Sequence, residues 1–415
     1  MRVTLIQHPV GQGGMMSGVL KLRGGLRQFH WVYDCGSNQE GDLNREIESV
    51  AEQGDVDCLF ISHLDSDHVS GIDDLLLKVR VREVVLPYLN NVDRMIAIAH
   101  DASRGSLTGM FISFLDDVNG WLSARGVQHI TYISPQGDGD EGRNDGPDFP
   151  SFFDPFEPRT QIEFKQKWSR LSIETREQGS ESVGTSEGKP AIQKFETGVS
   201  LAIETKNGPI NWIFVPYAYR PSSSALQDFT AQLNIIMPNW QNDREVRLKI
   251  LKDKLLREKL RKSYDLIWSD HNLVSMALYT GPFLHVERYY GYEIKTQVTS
   301  QRRRSKNNII GWLGTGDMPL NVKRRRDKFF THYAKLLEFV NVFGLPHHGA
   351  ERNFDPSLLD ATPNAKQYVA SAGKNGYGHP SKSVKLAIEL ARKNFVKVSS
   401  KPHSRLVWSH FFRYW

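Results

Sequence analysis

The stretch Asp55-Val-Asp-Cys-Leu-Phe-Ile-Ser-His63-Leu-Asp65-Ser-Asp67-His68-Val-Ser-Gly71 changes character midway. Its apolar run, Cys58 to Ile61, has the length and composition of a buried strand. The run stops in a polar loop that holds four metal-ligand side chains, His63, Asp65, Asp67 and His68, inside six positions. Past Gly71, the apolar Ile72, Leu75, Leu76 and Leu77 open a helix. Imidazole and carboxylate donors suit zinc, manganese or iron, and a short loop after a strand lets alternate side chains converge on one point. Donors this close can serve two adjacent cations, His63 and Asp65 one, Asp67 and His68 the other. The bland alternative is a solvated loop whose Asp and His cap the next helix. Four ligand types directly after a buried strand argue against it.

These residues resemble the signature of the metallo-β-lactamase superfamily, His-x-His-x-Asp-His, with Asp65 in place of the second His. The same departure is found in the hydrolase domain of the DNA-uptake channel protein ComEC and its relatives. The resemblance implies a mixed α/β (α+β) fold, a four-layer αββα sandwich with inserted segments, and one or two divalent ions, zinc or manganese, at one edge. Further along, Ile309 to Asp317 reads as a strand ending in Gly316-Asp317, similar to the superfamily strand whose last Asp bridges both metals. A glycine before that Asp lets the backbone come close. Pro346-His347-His348-Gly349 is similar to the superfamily's Pro-Gly-His-Gly. That alignment makes His348 the ligand and His347 a phosphate contact or general acid, although adjacent histidines can exchange these roles. Tyr377-Gly378-His379-Pro380 resembles the loop that closes the site in the ComEC-like group, with His379 as an acid or phosphate contact, or else a plain loop histidine.

Two weaker positions complete the set. His271, with Ser275 four residues later, fits the spacing of the last ligand of the first metal; a turn histidine is the alternative. Asp34, in Tyr33-Asp34-Cys35-Gly36, is either a partner for a metal-bound histidine or an Asp in a tight turn. The ligand set implied is therefore His63, Asp65, Asp67, His68, Asp317 and His348, with His271 as the uncertain member. Asp67 would also orient the nucleophile, and His347 or His379 would protonate the leaving oxygen. A carboxylate at 65 favours manganese over zinc there. Arg302, Arg303 and Arg304, with Lys323 and Arg324, flank Asp317 in sequence and are the expected substrate-binding charges.

The expected activity is metal-dependent hydrolysis, a phosphodiesterase or nuclease acting on DNA or RNA. One alternative is a hydrolase of small phosphodiesters, lactones or thioesters. Another is a regulatory or binding module whose metal site is structural. Fold alone does not choose among them.

The 415 residues suffice for a large core, read here as a single elaborated domain over 1–415 with insertions at about 90–190 and 218–265. The insertions suggest a protein partner. An excess of six Lys and Arg over Asp and Glu suits an anionic substrate without requiring one. Only Cys35 and Cys58 are present, so no disulfide framework is expected, and no apolar run is long enough for a membrane span. A strand-like start without a signal-peptide pattern adds to the expectation of a cytoplasmic protein. One helix is expected over Met110–Leu122. Another, Asp243–Lys262, would present Leu248, Leu251 and Leu255 on its apolar face. The aromatic tail, Leu406 to Trp415, could form an edge strand, stack on bases or dock on a partner, with core packing the expectation.

Overall fold

The computed structural model describes residues 1–21, 28–104, 108–135, 165–168, 190–205, 208–219, 223–243, 245–247, 249, 253–264, 274–283, 290–295, 300–305, 309–376 and 378–412. The strands are β1 (Arg2–Gln7), β2 (Met16–Lys21), β3 (Gln28–Tyr33), β4 (Val56–Phe60), β5 (Val81–Pro87), β6 (His129–Ser134), β7 (Lys165–Trp168), β8 (Ala191–Glu196) and β9 (Leu201–Thr205). They continue with β10 (Gly208–Tyr219), β11 (Ser275–Gly281), β12 (Tyr290–Lys295), β13 (Ser300–Ser305), β14 (Gly311–Gly314), β15 (Val340–Gly344), β16 (Gln367–Ser371), β17 (Asn394–Val398) and β18 (Leu406–Phe412). Helices that matter below are α1 (Glu40–Ala51), α2 (Ser66–Val69), α3 (Ile72–Lys78), α4 (Asn91–Arg104), α5 (Gly109–Asp116) and α6 (Val118–Ser123). After them come α7 (Ser223–Ile236), α8 (Lys254–Tyr264), α9 (Lys323–Tyr333), α10 (Ser357–Ala361) and α11 (Lys382–Leu390).

Two sheets form. One runs β13-β12-β18-β1-β2-β3-β4-β5-β6-β8 and the other β17-β16-β15-β14-β11-β10-β9-β7. Strand alternation assigns side chains to layers. In β10, Trp212, Phe214 and Ala218 join Trp31 and Phe60 between the sheets, while Ile213, Val215, Tyr217 and Tyr219 face Phe329 and Tyr333 of α9. In β4, Cys58 and Phe60 point between the sheets, and Leu59 points at Ile47 of α1 and Leu75 of α3. A strand buried on both faces reads as the continuous apolar run seen in β4. The result is helix, sheet, sheet, helix, the four-layer sandwich expected. Aromatic contacts dominate the middle layer: Phe214 stacks on Phe60 at 5.5 Å and meets Trp31 edge-on at 5.0 Å between ring centroids. Truncating such a residue to Ala costs about 3–5 kcal/mol.

Two local expectations change, and core packing of the tail is borne out. Met110–Leu122 is two helices, because Asp117 stops α5 and caps α6 through Oδ1, which accepts from the Gly120 amide at 2.9 Å. The tail strand β18 is interior, paired with β1 on one side and β12 on the other. Its buried Trp408 belongs to the layer between the sheets. In α8, Leu255 is 61% exposed, and Leu260 is the side chain that enters the core. Leu248 and Leu251 lie outside the described residues. Among the described residues, no helix is long and apolar enough to cross a membrane.

The parallel strands β3–β6 of one sheet and β14–β17 of the other end at the same edge. Loops after parallel strands are where open α/β sheets place their sites. At that edge the sheets are tied together, with the Met276 amide donating to the Ser62 carbonyl at 2.7 Å and the Tyr33 hydroxyl to the Met276 carbonyl at 2.8 Å.

Candidate metal centre

Five chain segments end at this edge and carry the polar side chains. Asp34 follows β3, and His63 to His68 follow β4 into α2. Asp317 follows β14, His347 and His348 follow β15, and His379 lies beyond β16. Asp34, His347 and His348 all take positive φ, 58°, 46° and 57°. That conformation is uncommon for residues other than glycine, and it clusters where a backbone is bent to aim side chains. Gly316 also has positive φ, 52°, and a Cβ there would meet Ser275 Oγ at 2.5 Å. Hence glycine precedes Asp317. The Ser275 hydroxyl instead accepts from the Asp317 amide at 3.1 Å.

The hydrogen bonds fix four imidazoles in one sense. The Asp34 carboxylate accepts from the Ser62 amide at 2.6 Å, from the Ser62 hydroxyl at 2.7 Å and from His68 Nδ1 at 2.8 Å. Having donated its proton to Asp34, the Ser62 hydroxyl oxygen accepts from His63 Nδ1 at 2.8 Å. His348 Nδ1 donates to the Ser371 carbonyl at 2.7 Å. The Asn353 amide donates to the Asp317 carbonyl at 3.0 Å, which turns its oxygen to accept from His347 Nδ1 at 3.2 Å. With Nδ1 the donor, a neutral imidazole keeps a lone pair on Nε2. All four Nε2 atoms face the same carboxylates. His63 and His347 are 3.6 and 3.5 Å from Asp317 Oδ2, His68 is 3.6 Å from Asp317 Oδ1, and His348 is 3.4 Å from Asp67 Oδ2.

Among the described residues, Nε2 of His63, His68 and His348 and Oδ1 of Asp67 are buried without a hydrogen-bond partner. Buried polar atoms are rarely left so. Donors about 2.1 Å from a shared tetrahedral cation lie about 3.4 Å from one another. The observed spacings match, and His63, His68 and Asp317, and again Asp67, His68 and His348, form groups able to hold a metal ion. The residues therefore fit divalent cations. Asp317 presents one oxygen to His68 and the other to His63 and His347, which suits a bridge between two positions.

Without a cation, the carboxylates draw a proton onto the pocket instead. Burial works against the charge on the His68 ring, yet Asp34 and Asp317 outweigh it and push its pKa up to about 10. Burial likewise opposes ionisation of Asp67 and Asp317, and the surrounding histidines hold both carboxyls well below their ordinary value. The pocket is built to concentrate negative charge against something cationic. A cavity of about 60 Å³ beside it is lined by Gly14, Trp312, His68, Asp317, His348 and Ser371.

The structure brings together His63, Asp67, His68, Asp317, His347 and His348, and Asp34 makes the histidine contact expected of it. Asp65 stands at the rim, 3.7 Å from His63 Nε2 and 3.1 Å from His100 Nδ1. It belongs to neither metal-holding group. His68, assigned from spacing to one cation, is in both groups. His379 reaches the mouth, with its ring centroid 5.2 Å from that of His347. His271 lies outside the described residues. Arg302, Arg303 and Arg304 are on β13, an edge strand six places from β4, which is roughly 29 Å across a sheet. They are not brought to the centre. Lys323 and Arg324 are exposed at the start of α9, and Lys323 pairs with Asp327 at 2.6 Å. The next residue, Arg325, is buried and donates to the Tyr219 hydroxyl at 3.0 Å.

Sequence reading missed Ser62, His100, Asp101, Asn353 and Asn375. Asn375 holds the His379 loop, accepting from the His379 amide at 3.2 Å and donating to its carbonyl at 2.8 Å. Asp101 is fully buried. Burial first, and then the charge of Asp65, pushes its carboxyl up to about 7.

Residues 29–158 match the metallo-beta-lactamase superfamily. The match takes in β3 to β6 and the loop from His63 to His68, while Asp317, His347 and His348 join it through the fold. The two sheets and their helices are consistent with the superfamily sandwich, and the superfamily supports a metal-dependent hydrolase. No curated protein matches the chain.

Proposed function

We propose that the chain is a metallo-hydrolase of phosphodiester bonds, a nuclease acting on DNA or RNA, with zinc or manganese held by its edge loops. The observation that carries this reading is the convergence of four imidazole Nε2 atoms on two carboxylates, with Asp317 facing both donor sets. Cations held by these residues would supply an acidified water and neutralise charge on the oxygens of an in-line displacement, the demand that a phosphodiester makes.

The residues take the following parts. Asp67, His68 and His348 would hold one position, and His63, His68 and Asp317 the other, with Asp65 beside His63 as a further donor on that side. Asp34, Ser62, Asn353 and the Ser371 carbonyl lock the ring tautomers so that Nε2 stays free. Asp67 keeps one buried oxygen without a hydrogen bond, placed to orient the incoming nucleophile. The Asn353 contact turns His347 Nε2 towards the centre, so His347, or His379 beside it at the mouth, would contact the phosphate or protonate the leaving oxygen. Lys323 and Arg324 supply the positive charge nearest in sequence to Asp317 for a polyanion. The chain is taken as a single domain whose insertions shape the cleft.

The test is cleavage of labelled single- and double-stranded DNA and RNA with manganese, zinc or magnesium, beside Asp67→Ala. Metal-dependent cutting lost in the variant supports a nuclease and identifies its polymer. If metal-loaded protein leaves all four polymers intact, the nuclease reading fails and a small phosphodiester becomes the substrate to try.

A further inference from the structure

The inserted helix α4 ends against the metal loop. Its start is fixed by a reciprocal cap: the Asp93 amide donates to Asn90 Oδ1 at 3.0 Å and the Asn90 amide to Asp93 Oδ2 at 2.9 Å. Its apolar face, Met95, Ile98 and Ala99, shares a hydrophobic cluster with Phe229 and Leu233 of α7 and Leu260 of α8. Asn91 Nδ2 donates to the Gln241 carbonyl at 3.0 Å, so the second insertion holds the first. A helix anchored at its start and packed along that face presents the next two residues, His100 and Asp101, to the loop of Asp65 and Ser66. Both are buried, at 4% and 0% exposure. Folding of α4 alone does not call for a buried imidazole and carboxylate, which cost free energy unless something answers them. Asp65 Oδ2 lies 3.1 Å from His100 Nδ1, within ion-pairing distance.

We infer that His100 is a positioning residue for Asp65, holding that carboxylate beside His63, so that an Asp65–His100 pair occupies the corner where the usual motif has one imidazole. This rests on the metal reading above. Outer contacts of this kind orient a ligand and raise its basicity, and losing one typically lowers metal affinity 10–100-fold. It also gives the insertions a duty: α7 and α8 brace α4, and α4 sets the donor geometry on the Asp65 side of the centre.

The experiment is titration of the metal-free full chain with Mn²⁺ alone and Zn²⁺ alone. The proteins compared are wild type, His100→Leu, His100→Asn, Asp65→Asn and the Asp65→Asn/His100→Leu double variant. Asn places an amide near the position of the Nδ1 atom, so it should bind metal within about threefold of wild type, while Leu loses on the order of 10–100-fold. In the Asp65→Asn background, His100→Leu should add nothing further. A merely structural role would lower the melting temperature of the metal-free protein and leave metal affinity alone. Should His100→Leu not fold, His100→Gln, which moves the amide by one methylene, carries the same expectation. Wild-type affinity in His100→Leu, or additive losses in the double variant, overturns the inference while the metal reading stands. A wild-type chain that binds neither ion overturns both.

Discussion

Two buried histidine clusters lie in the same half of the sandwich, and they are satisfied differently. In the first, His8 Nε2 meets Ser17 Oγ at 2.7 Å and His8 Nδ1 meets Glu46 Oε2 at 3.0 Å, with Arg405 and Arg45 also on Glu46. Its distances are those of a Ser-His-Glu triad. Yet Ser17, His8 and Glu46 have no exposed surface, and a nucleophile that no substrate reaches does no chemistry. In the second, the metal centre, Nδ1 of each ring has a protein partner and Nε2 has carboxylates 3.4–3.6 Å away in its place. The difference teaches that residue types and spacing do not by themselves mark a working site. What marks it is several buried polar atoms of ligand type converging on one point.

The largest effect that would break this contrast is at Asp317. Asp317→Ala removes the carboxylate shared by both donor sets, so hydrolysis should fall by at least on the order of 10³-fold. Metal content by elemental analysis should fall with it, while the far-ultraviolet circular dichroism of the sandwich persists. Full metal occupancy and full activity in that variant would remove the bridge from the reading. The counterpart in the sealed cluster is Glu46→Ala. It leaves His8 and Arg405 without their buried anion and should cost about 3–5 kcal/mol of stability in urea unfolding. Metal stoichiometry in the folded fraction should not change. If the two variants exchanged phenotypes, the distinction between the clusters would be lost.

A smaller effect separates the clusters from the ligand side. Metal at a hundred times its dissociation constant stabilises a protein that binds it only when folded by about 2.7 kcal/mol. Melting curves with and without chelator should show that gain in wild type and in Glu46→Ala, and a much reduced one in Asp67→Ala. An equal shift in all three would place the ion elsewhere.

Sequence carried much of this because the strongest signals are contiguous. His63 to His68, Gly316-Asp317 and Pro346 to Gly349 each sit at one strand end, where a short segment holds several donors and a run of apolar residues announces the strand. The continuous apolar run of β4 likewise predicts a strand buried on both faces. What sequence does not carry is contact between distant segments. Nothing near position 100 distinguishes His100 from a core histidine, since its meaning comes from Asp65, 35 residues earlier, brought to it by helix packing. Asn353 is equally silent until the loop after β15 turns it towards Asp317. The basic clusters mislead for the same reason: Arg302 to Arg304 are near Asp317 in sequence, but strand order carries them to a sheet edge. Leu255 looked like a core residue by spacing, and the packing of α8 on α4 selects Leu260.

Acid sharpens the comparison with the smallest step. Burial depresses the pKa of His8 despite the opposing pull of Glu46. Burial also lowers His30 to about 4 and His410 to about 3. Each is neutral when folded and has its ordinary value near 6.5 when unfolded. Below pH 6.5 the unfolded chain therefore takes up protons that the folded chain refuses, and stability falls as pH drops towards the folded values. Each such histidine contributes at most about 1.4 kcal/mol per pH unit in that window. Measured on chelated protein, urea midpoints should be flat from these groups above pH 7 and decline from about pH 6.5 downwards. Replacing His30 with Gln, which does not titrate, should lower the slope by one histidine's share. An unchanged slope in that variant would mean that His30 is protonated in the folded protein and that the sealed interior is wetter than its burial implies.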